Sequence, residues 1–136
     1  MTPLLDRIEV LTGRRHDDAR GFLHVALGAS QLPIDARFGE LYLVQSVSAG
    51  DRRGDHLHRA MDEWFSVVIG AADLQLFDPG TDERAVLHLL ADPPRTVRVP
   101  AGVAHCLVNV GPGALLVVAW ATAEYDPADV HPCSTV

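Results

Sequence analysis

The sequence predicts a single all-β domain, a sandwich or barrel, and three observations carry that prediction. Eleven glycines and nine prolines cut the 136 residues into short pieces. The pieces have the length of strands and recur roughly every 8–12 residues, the spacing of sandwiches and barrels. No stretch keeps the apolar stripe of an amphipathic helix. The strand-length runs are residues 22–27, 40–48, 63–70, 73–78, 84–90, 96–100, 105–110 and 114–121. In the second run Leu41, Leu43 and Val47 share one face, with Tyr42, Val44 and Ser46 on the other, because successive side chains of a strand point to opposite sides. Asp78-Pro79-Gly80-Thr81, Asp92-Pro93-Pro94, Pro100-Ala101-Gly102 and Gly111-Pro112-Gly113 read as turns, since proline presets φ and glycine accepts positive φ. The first dozen residues fit a strand or one short helix. One domain is expected over residues 1–136, with a core at about 18–125 and an irregular tail from Asp126 onward.

Composition narrows the class of function. Hydrophobic residues make up 48% and charged ones 21%, the balance of a folded domain with its own core. A net charge of −7 argues against a nucleic-acid partner, which needs a basic face. No apolar run approaches the roughly 20 residues of a membrane helix, and the N-terminal segment lacks the apolar core of a signal peptide. Two cysteines are too few for a disulfide framework, so the expected setting is the reducing cytoplasm. The chain contains no lysine, which excludes Schiff-base chemistry.

Four residues stand out as a site. His56 and His58 are one residue apart, so on a strand both rings face the same way. Glu63 opens the next apolar run, and His105 follows the Pro100-Ala101-Gly102 turn. Three imidazoles and a carboxylate, if they converge, suit a divalent metal with one or two positions open. Taken alone, the His56/His58 pair would equally suit a solvated, histidine-rich hairpin.

The spacing adds a resemblance. Gly50-x5-His56-x-His58-x4-Glu63-x6-Gly70 and Pro100-x-Gly102-x2-His105-x3-Asn109 resemble the two motifs of the cupin superfamily, with Pro94 where the second motif's leading glycine would stand. The resemblance implies a cupin β-barrel or jelly roll with His56, His58, Glu63 and His105 as ligands of a divalent metal (Zn, Fe, Ni or Mn) in its mouth. The flanks narrow it. Asp18-Ala19-Arg20-Gly21-Phe22-Leu23, Arg53-Gly54-Asp55-His56 and Trp120 to Pro127 are similar to elements of the dTDP-4-dehydrorhamnose 3,5-epimerase-like cupins. The runs RGDHLHRAMDEWFSVVIG, PAGVAHCLVNVG and WATAEYDP resemble the C-terminal cupin domain of capsular-polysaccharide UDP-sugar reductase/epimerases.

This resemblance implies a metal-dependent epimerase or isomerase that enolises a nucleotide-linked 4-keto-6-deoxy sugar next to its ketone. His56, His58 and His105 would be the catalytic set, and Arg53 and Arg20 would lie against the diphosphate. Tyr42 and Trp120 would be further substrate contacts, and the chain would be a homodimer. His56 cannot ligate a metal through its reactive nitrogen and also act as base, so it has one role or the other. Where the metal-free epimerases place a catalytic tyrosine, this chain has Val117 to Trp120. Where the sugar ketoisomerases place theirs it has Val44, with Tyr42 two residues away. An Fe(II)-type cupin dioxygenase and a non-catalytic sugar-binding cupin are the alternatives. Of the remaining residues, His24 and His88 are expected to be structural or to line the barrel. His16 and His131 are expected to be solvated, Cys106 to be core, Asn109 to fix a turn, and Trp64 to be core or interface.

Overall fold

The computed structural model describes residues 2–136 and is built almost wholly of strands. A four-residue helix α1 (Leu4–Arg7) precedes β1 (Glu9–Thr12), β2 (Arg14–Asp18), β3 (Gly21–Val25), β4 (Glu40–Ser46), β5 (Arg52–Leu57) and β6 (Glu63–Ile69). There follow β7 (Ala71–Asp78), β8 (Glu83–Leu90), β9 (Arg95–Val99), β10 (Ala104–Asn109), β11 (Leu115–Ala121) and β12 (His131–Pro132). Two five-stranded antiparallel sheets, in the orders β1-β9-β6-β11-β4 and β12-β5-β10-β7-β8, pack face to face, and β2-β3 forms a separate hairpin. This is the jelly roll that the resemblance implied.

The core lies between the sheets and is made by alternate residues. Leu74 and Leu76 of β7, Phe65 and Val67 of β6, Val97 and Val99 of β9, Val117 and Ala119 of β11 and Leu107 of β10 are all buried there. Full burial of such a valine, leucine or phenylalanine side chain stabilises by about 1.5–3 kcal/mol. In β4 the inward face is that of Tyr42, Val44 and Ser46, and Leu41, Leu43 and Val47 stand in solvent. The reason is polar. Tyr42 donates to Glu63, and Ser46 bonds Asp51 and Asn109, so that face finds partners only inside.

All eight strand-length runs are strands. Those not read from the sequence are β2, β5 and β12. Residues 14–18 and 52–55 are almost all polar or glycine, so no apolar alternation marks them, and their ladder bonds come from β3 and β10. The N-terminal dozen residues hold both a helix and a strand. The tail, expected to be irregular, carries regular structure. A 3-10 turn at Pro127–Asp129 leads into β12, which pairs with β5 so that Pro132 lies opposite His56. Thr135 is buried and donates to Asp55 through its amide and its hydroxyl.

Candidate functional site

The site is assembled at the end of the barrel where β5, β6 and β10 meet. β5 pairs with β10 so that His105 lies directly opposite His56, and the register slips immediately afterwards, between His105 and Cys106. The slip is a bulge in which Gly54 has φ 130° and Asp55 φ 59°, and bulges of this kind re-aim a side chain. A Cβ at Gly54 would lie 2.6 Å from the His105 carbonyl oxygen, so only glycine lets the two strands approach. The Gly102 amide donates to the His58 carbonyl at 2.7 Å, which ties the turn before β10 to the residue after β5.

The three histidines converge as the spacing anticipated. Ring centroids are 5.0 Å apart for His56–His58, 5.0 Å for His56–His105 and 5.9 Å for His58–His105, and one nitrogen from each ring lies within 4.8 Å of the others. Glu63 is beside two of them. Its Oε1 is 3.2 Å from His58 Nε2 and 3.4 Å from His105 Nε2, and its Oε2 accepts the Tyr42 hydroxyl. His58 Nδ1 is 2.8 Å from the Asp129 carbonyl oxygen. Donation to that oxygen holds the ring and leaves Nε2 for the site.

Burial and pairing set the charge states. Desolvation pushes His105 down to about 4, so its imidazole is neutral at pH 7. His56 is lowered too, by desolvation and then by His58. Glu63 is buried, which pulls its carboxyl up, but the bonds from His58 and Tyr42 and the nearness of His105 hold it below the ordinary carboxylate range. His58 is raised, chiefly by its bond to Glu63. Tyr42 is pushed far up by burial and by Glu63, so it stays a proton donor. Neutral imidazoles at His56 and His105 beside an ionised Glu63 are the protonation states a cation needs, and a cation would displace the proton that Glu63 favours on His58. The 3.2 and 3.4 Å separations are close to the edge, about 3.4 Å, of a tetrahedron with bonds of about 2.1 Å. The donor types suit a divalent cation, and two edges have the length one needs; the histidine nitrogens, within 4.8 Å of one another, would draw closer around it.

A cavity of about 470 Å³ opens on this group, and its wall adds Glu40, Met61, Tyr125 and Val130. On the other side of Tyr42 and His56 a cavity of about 220 Å³ is lined by Arg53, Val44, Phe65 and His105. Arg53 is thus beside the site. Arg20 and Trp120 are not, which corrects two expectations. Arg20 sits at the exposed β2–β3 turn, paired with Asp18 at 2.6 Å. Trp120 points to the outer face of β11, against Trp64 at 4.8 Å and Phe38 at 6.2 Å between ring centroids, because Val117 and Ala119 take the inward positions. His88 shares an outward face with Val86 and Leu90 and pairs with Asp73 at 2.8 Å, so it does not line the barrel. Asn109 fixes a turn through Gly111 and Gly113, and Cys106 is fully buried.

Sequence reasoning missed Asp129. Its carboxylate accepts the amides of Arg59 at 2.8 Å and Ala60 at 3.1 Å, so the C-terminal segment braces the loop that follows His58. It lies about seventy residues away in the chain, in a stretch without strand patterning, and only the Tyr125-Asp126-Pro127 similarity marked its neighbourhood.

Comparison with known proteins agrees with the fold. The polysaccharide biosynthesis C-terminal domain family matches residues 16–132. The spore coat polysaccharide biosynthesis protein SpsL of Bacillus subtilis (strain 168) is 25% identical over 129 residues, covering 91% of this chain and 84% of SpsL. The capsular polysaccharide assembling protein CapF of Staphylococcus aureus superposes with a TM-score of 0.67 at 24% identity, over 73% of this chain and 27% of CapF. The chain thus spans about a quarter of CapF's length. The dTDP-6-deoxy-D-glucose-3,5-epimerase RmlC of Legionella pneumophila, solved with dTDP-4-keto-L-rhamnose, superposes with a TM-score of 0.78 at 19% identity, over 96% of this chain and 74% of RmlC.

Proposed function

The chain belongs to the polysaccharide biosynthesis C-terminal domain family, and from that premise we propose that it is an epimerase or isomerase of a nucleotide-linked 4-keto-6-deoxy sugar. The observation that carries the proposal is the clustering of His56, His58 and His105, with Glu63 beside the last two, between two adjoining cavities, and the Tyr42 hydroxyl held on Glu63. Sugar-nucleotide epimerases of the same fold support it.

Moving a stereocentre or a carbonyl in such a sugar begins with loss of the proton next to the ketone, and the barrier is the charge left on the enolate oxygen. We propose that His56, His58, Glu63 and His105 hold a divalent cation, which as a Lewis acid would supply positive charge at that oxygen. Tyr42 is the proton donor. Its hydroxyl stays protonated, held on Glu63; it would give that proton to the enolate carbon and regain one from solvent through the cavity it lines. With His56 engaged as a ligand, Glu40 is the carboxylate left on the cavity wall to take the α-proton. Arg53 contacts substrate oxygens from the inner cavity. One observation favours a second assignment. The His56 ring makes no hydrogen bond among the described residues and is held neutral by burial, which suits it to be the base itself at a site without a cation.

Incubation with UDP-, dTDP- and GDP-linked 4-keto-6-deoxy sugars in deuterium oxide tests the reaction. The α-proton should exchange into solvent faster than the background, and His56→Asn should abolish the exchange under either assignment. Metal analysis of untreated protein separates the two. Close to one divalent ion per chain, released by His58→Ala or His105→Ala, supports the ligand role. Metal-free protein that still exchanges makes His56 the base. No exchange with any of these sugars favours the oxygenase and the sugar-binding alternatives, and oxygen uptake with Fe(II) distinguishes those.

We also propose a homodimer. Leu41 and Leu43 lie exposed on β4, with Val47 just beyond its end, and β4 is an edge strand with no proline or cation to protect it. Light scattering should give twice the chain mass, and Leu43→Lys should reduce it.

A further inference from the structure

The residue before His56 stands in a conformation that most side chains avoid. Asp55 has φ 59° inside β5, in the left-handed region that aspartate enters more readily than most residues but still at a cost. Gly54 meets the demand of the bulge by having no Cβ, and Asp55 meets it with hydrogen bonds. Residues from beyond β12 supply three of them. The Cys133 amide donates to the Asp55 carbonyl oxygen at 2.9 Å, and the Thr135 amide and hydroxyl donate to Asp55 Oδ1 at 3.1 and 2.8 Å. Arg52 completes the group, donating to the two Asp55 carboxylate oxygens at 3.0 and 3.1 Å and to the Thr135 hydroxyl oxygen at 3.2 Å. Thr135 is buried in this contact.

These bonds act on His56. The His58 ring has the Asp129 carbonyl oxygen 2.8 Å from its Nδ1 to hold it, whereas the His56 ring makes no hydrogen bond among the described residues. Its direction is therefore set by its backbone, and a bulge one residue earlier is what aims that backbone. β12 also borders β5 on the side away from β10, with Pro132 opposite His56, so the same segment bounds His56 along the sheet. We infer that Asp55 and Thr135 are positioning residues: the C-terminal segment clamps the β5 bulge through Asp55 and thereby fixes His56 relative to His58 and His105. The inference rests on the proposed reaction for its activity readout. It holds for either assignment of His56, since a displaced ring serves neither as ligand nor as base.

Two substitutions at Asp55 separate the clamp from the backbone conformation. Glycine adopts this φ freely but has no carboxylate, and asparagine tolerates the region and keeps an oxygen for Thr135. Asp55→Gly should slow α-proton exchange at saturating sugar by about tenfold or more, the loss expected when the partner behind a working histidine is removed. The half-saturating sugar concentration should move by less than about twofold, and Asp55→Asn should keep exchange within about threefold of wild type. Thr135→Val should show part of the Asp55→Gly loss and Thr135→Ser none. The double variant Asp55→Gly/Thr135→Val should lose no more than Asp55→Gly, because both act through one contact. A second readout needs neither sugar nor metal. In chelator-treated protein, NMR of the imidazole nitrogens should show one His56 environment in the wild type and in Asp55→Asn, identified by its absence in His56→Asn. Asp55→Gly should broaden or split it. His24→Ala, which removes the ring bonded to Ser66 and Arg15 on the far face of β6, shows what a loss of stability alone does, and should leave both readouts as in the wild type. Wild-type exchange or wild-type His56 resonances in Asp55→Gly, an Asp55→Asn protein as impaired as Asp55→Gly, or equal effects from His24→Ala overturn the inference and leave the proposed reaction standing. If the wild type exchanges no sugar, the proposed reaction fails and the resonances alone decide the inference.

Discussion

Strand β6 separates two polar clusters that are built from similar parts and do different things. On its inner face Glu63 meets His58, His105 and Tyr42. On its outer face the Ser66 hydroxyl is 3.0 Å from His24 Nε2, and Arg15 is 3.0 Å from His24 Nδ1. An arginine can only donate, so His24 Nδ1 must accept and Nε2 must carry the proton that goes to Ser66. Ser66 spends its own proton on the Arg95 carbonyl at 3.3 Å, and Arg15 also donates to the Val68 carbonyl at 2.8 Å. Both His24 nitrogens and the Ser66 hydroxyl are engaged, and the cluster braces β3 against the sheet. The serine and histidine there are no nucleophile and base, because the histidine faces the serine with its donor side. The inner cluster leaves several imidazole nitrogens converging around one carboxylate. A surplus of acceptors facing a cavity, rather than the presence of histidine, is what makes it a site.

The largest test of this contrast is Glu63→Gln. Replacing the ionised carboxylate with its neutral isostere should reduce α-proton exchange by about 10³-fold or more and lower the bound metal, as measured by NMR and elemental analysis. Ser66→Ala, three residues along the same strand on the other face, should change neither. Equal losses from the two variants would erase the distinction.

Tyr42→Phe comes next. It removes the donor and keeps the ring, so exchange should fall by about 10²-fold, the lower range for a general acid, while metal content stays the same. Unchanged exchange would return Tyr42 to the role of a brace on Glu63.

His24→Ala should have the opposite profile. It leaves an Arg15 donor without its acceptor, so urea unfolding should show a loss of about 1–3 kcal/mol. Exchange activity should stay within about twofold. A selective loss of activity would show that the outer cluster takes part in the chemistry.

The effect of pH on the metal-free protein is read on stability alone. His105 has a folded value of about 4 against 6.5 for the free side chain, so between those two limits the unfolded chain binds more protons. Stability should therefore fall as pH drops from 6.5 towards 4, by at most about 1.4 kcal/mol per pH unit from this group. His58 is raised and works the other way, since its contribution is complete below 6.5 and is lost as pH rises through its folded value. Thermal melts after chelation should show the net decline, and His105→Phe should flatten it.

The sequence by itself determined the all-β architecture, the eight apolar strands and the four residues that cluster at the barrel end. Apolar alternation and turn chemistry are local properties, and motif spacing fixes which residues can share a face of a strand. It did not show β2 or β5, whose polar residues acquire strand geometry only from the ladders of β3 and β10. It misplaced Arg20 and Trp120, because a matching residue type does not say to which side of a sheet a side chain will point. Only the tertiary structure brought Tyr42 to Glu63 and Asp129 to His58, across 21 and 71 residues of chain. Those contacts depend on how two sheets stack and where a tail returns, and a hydrogen bond between distant residues leaves no periodicity in either segment that makes it.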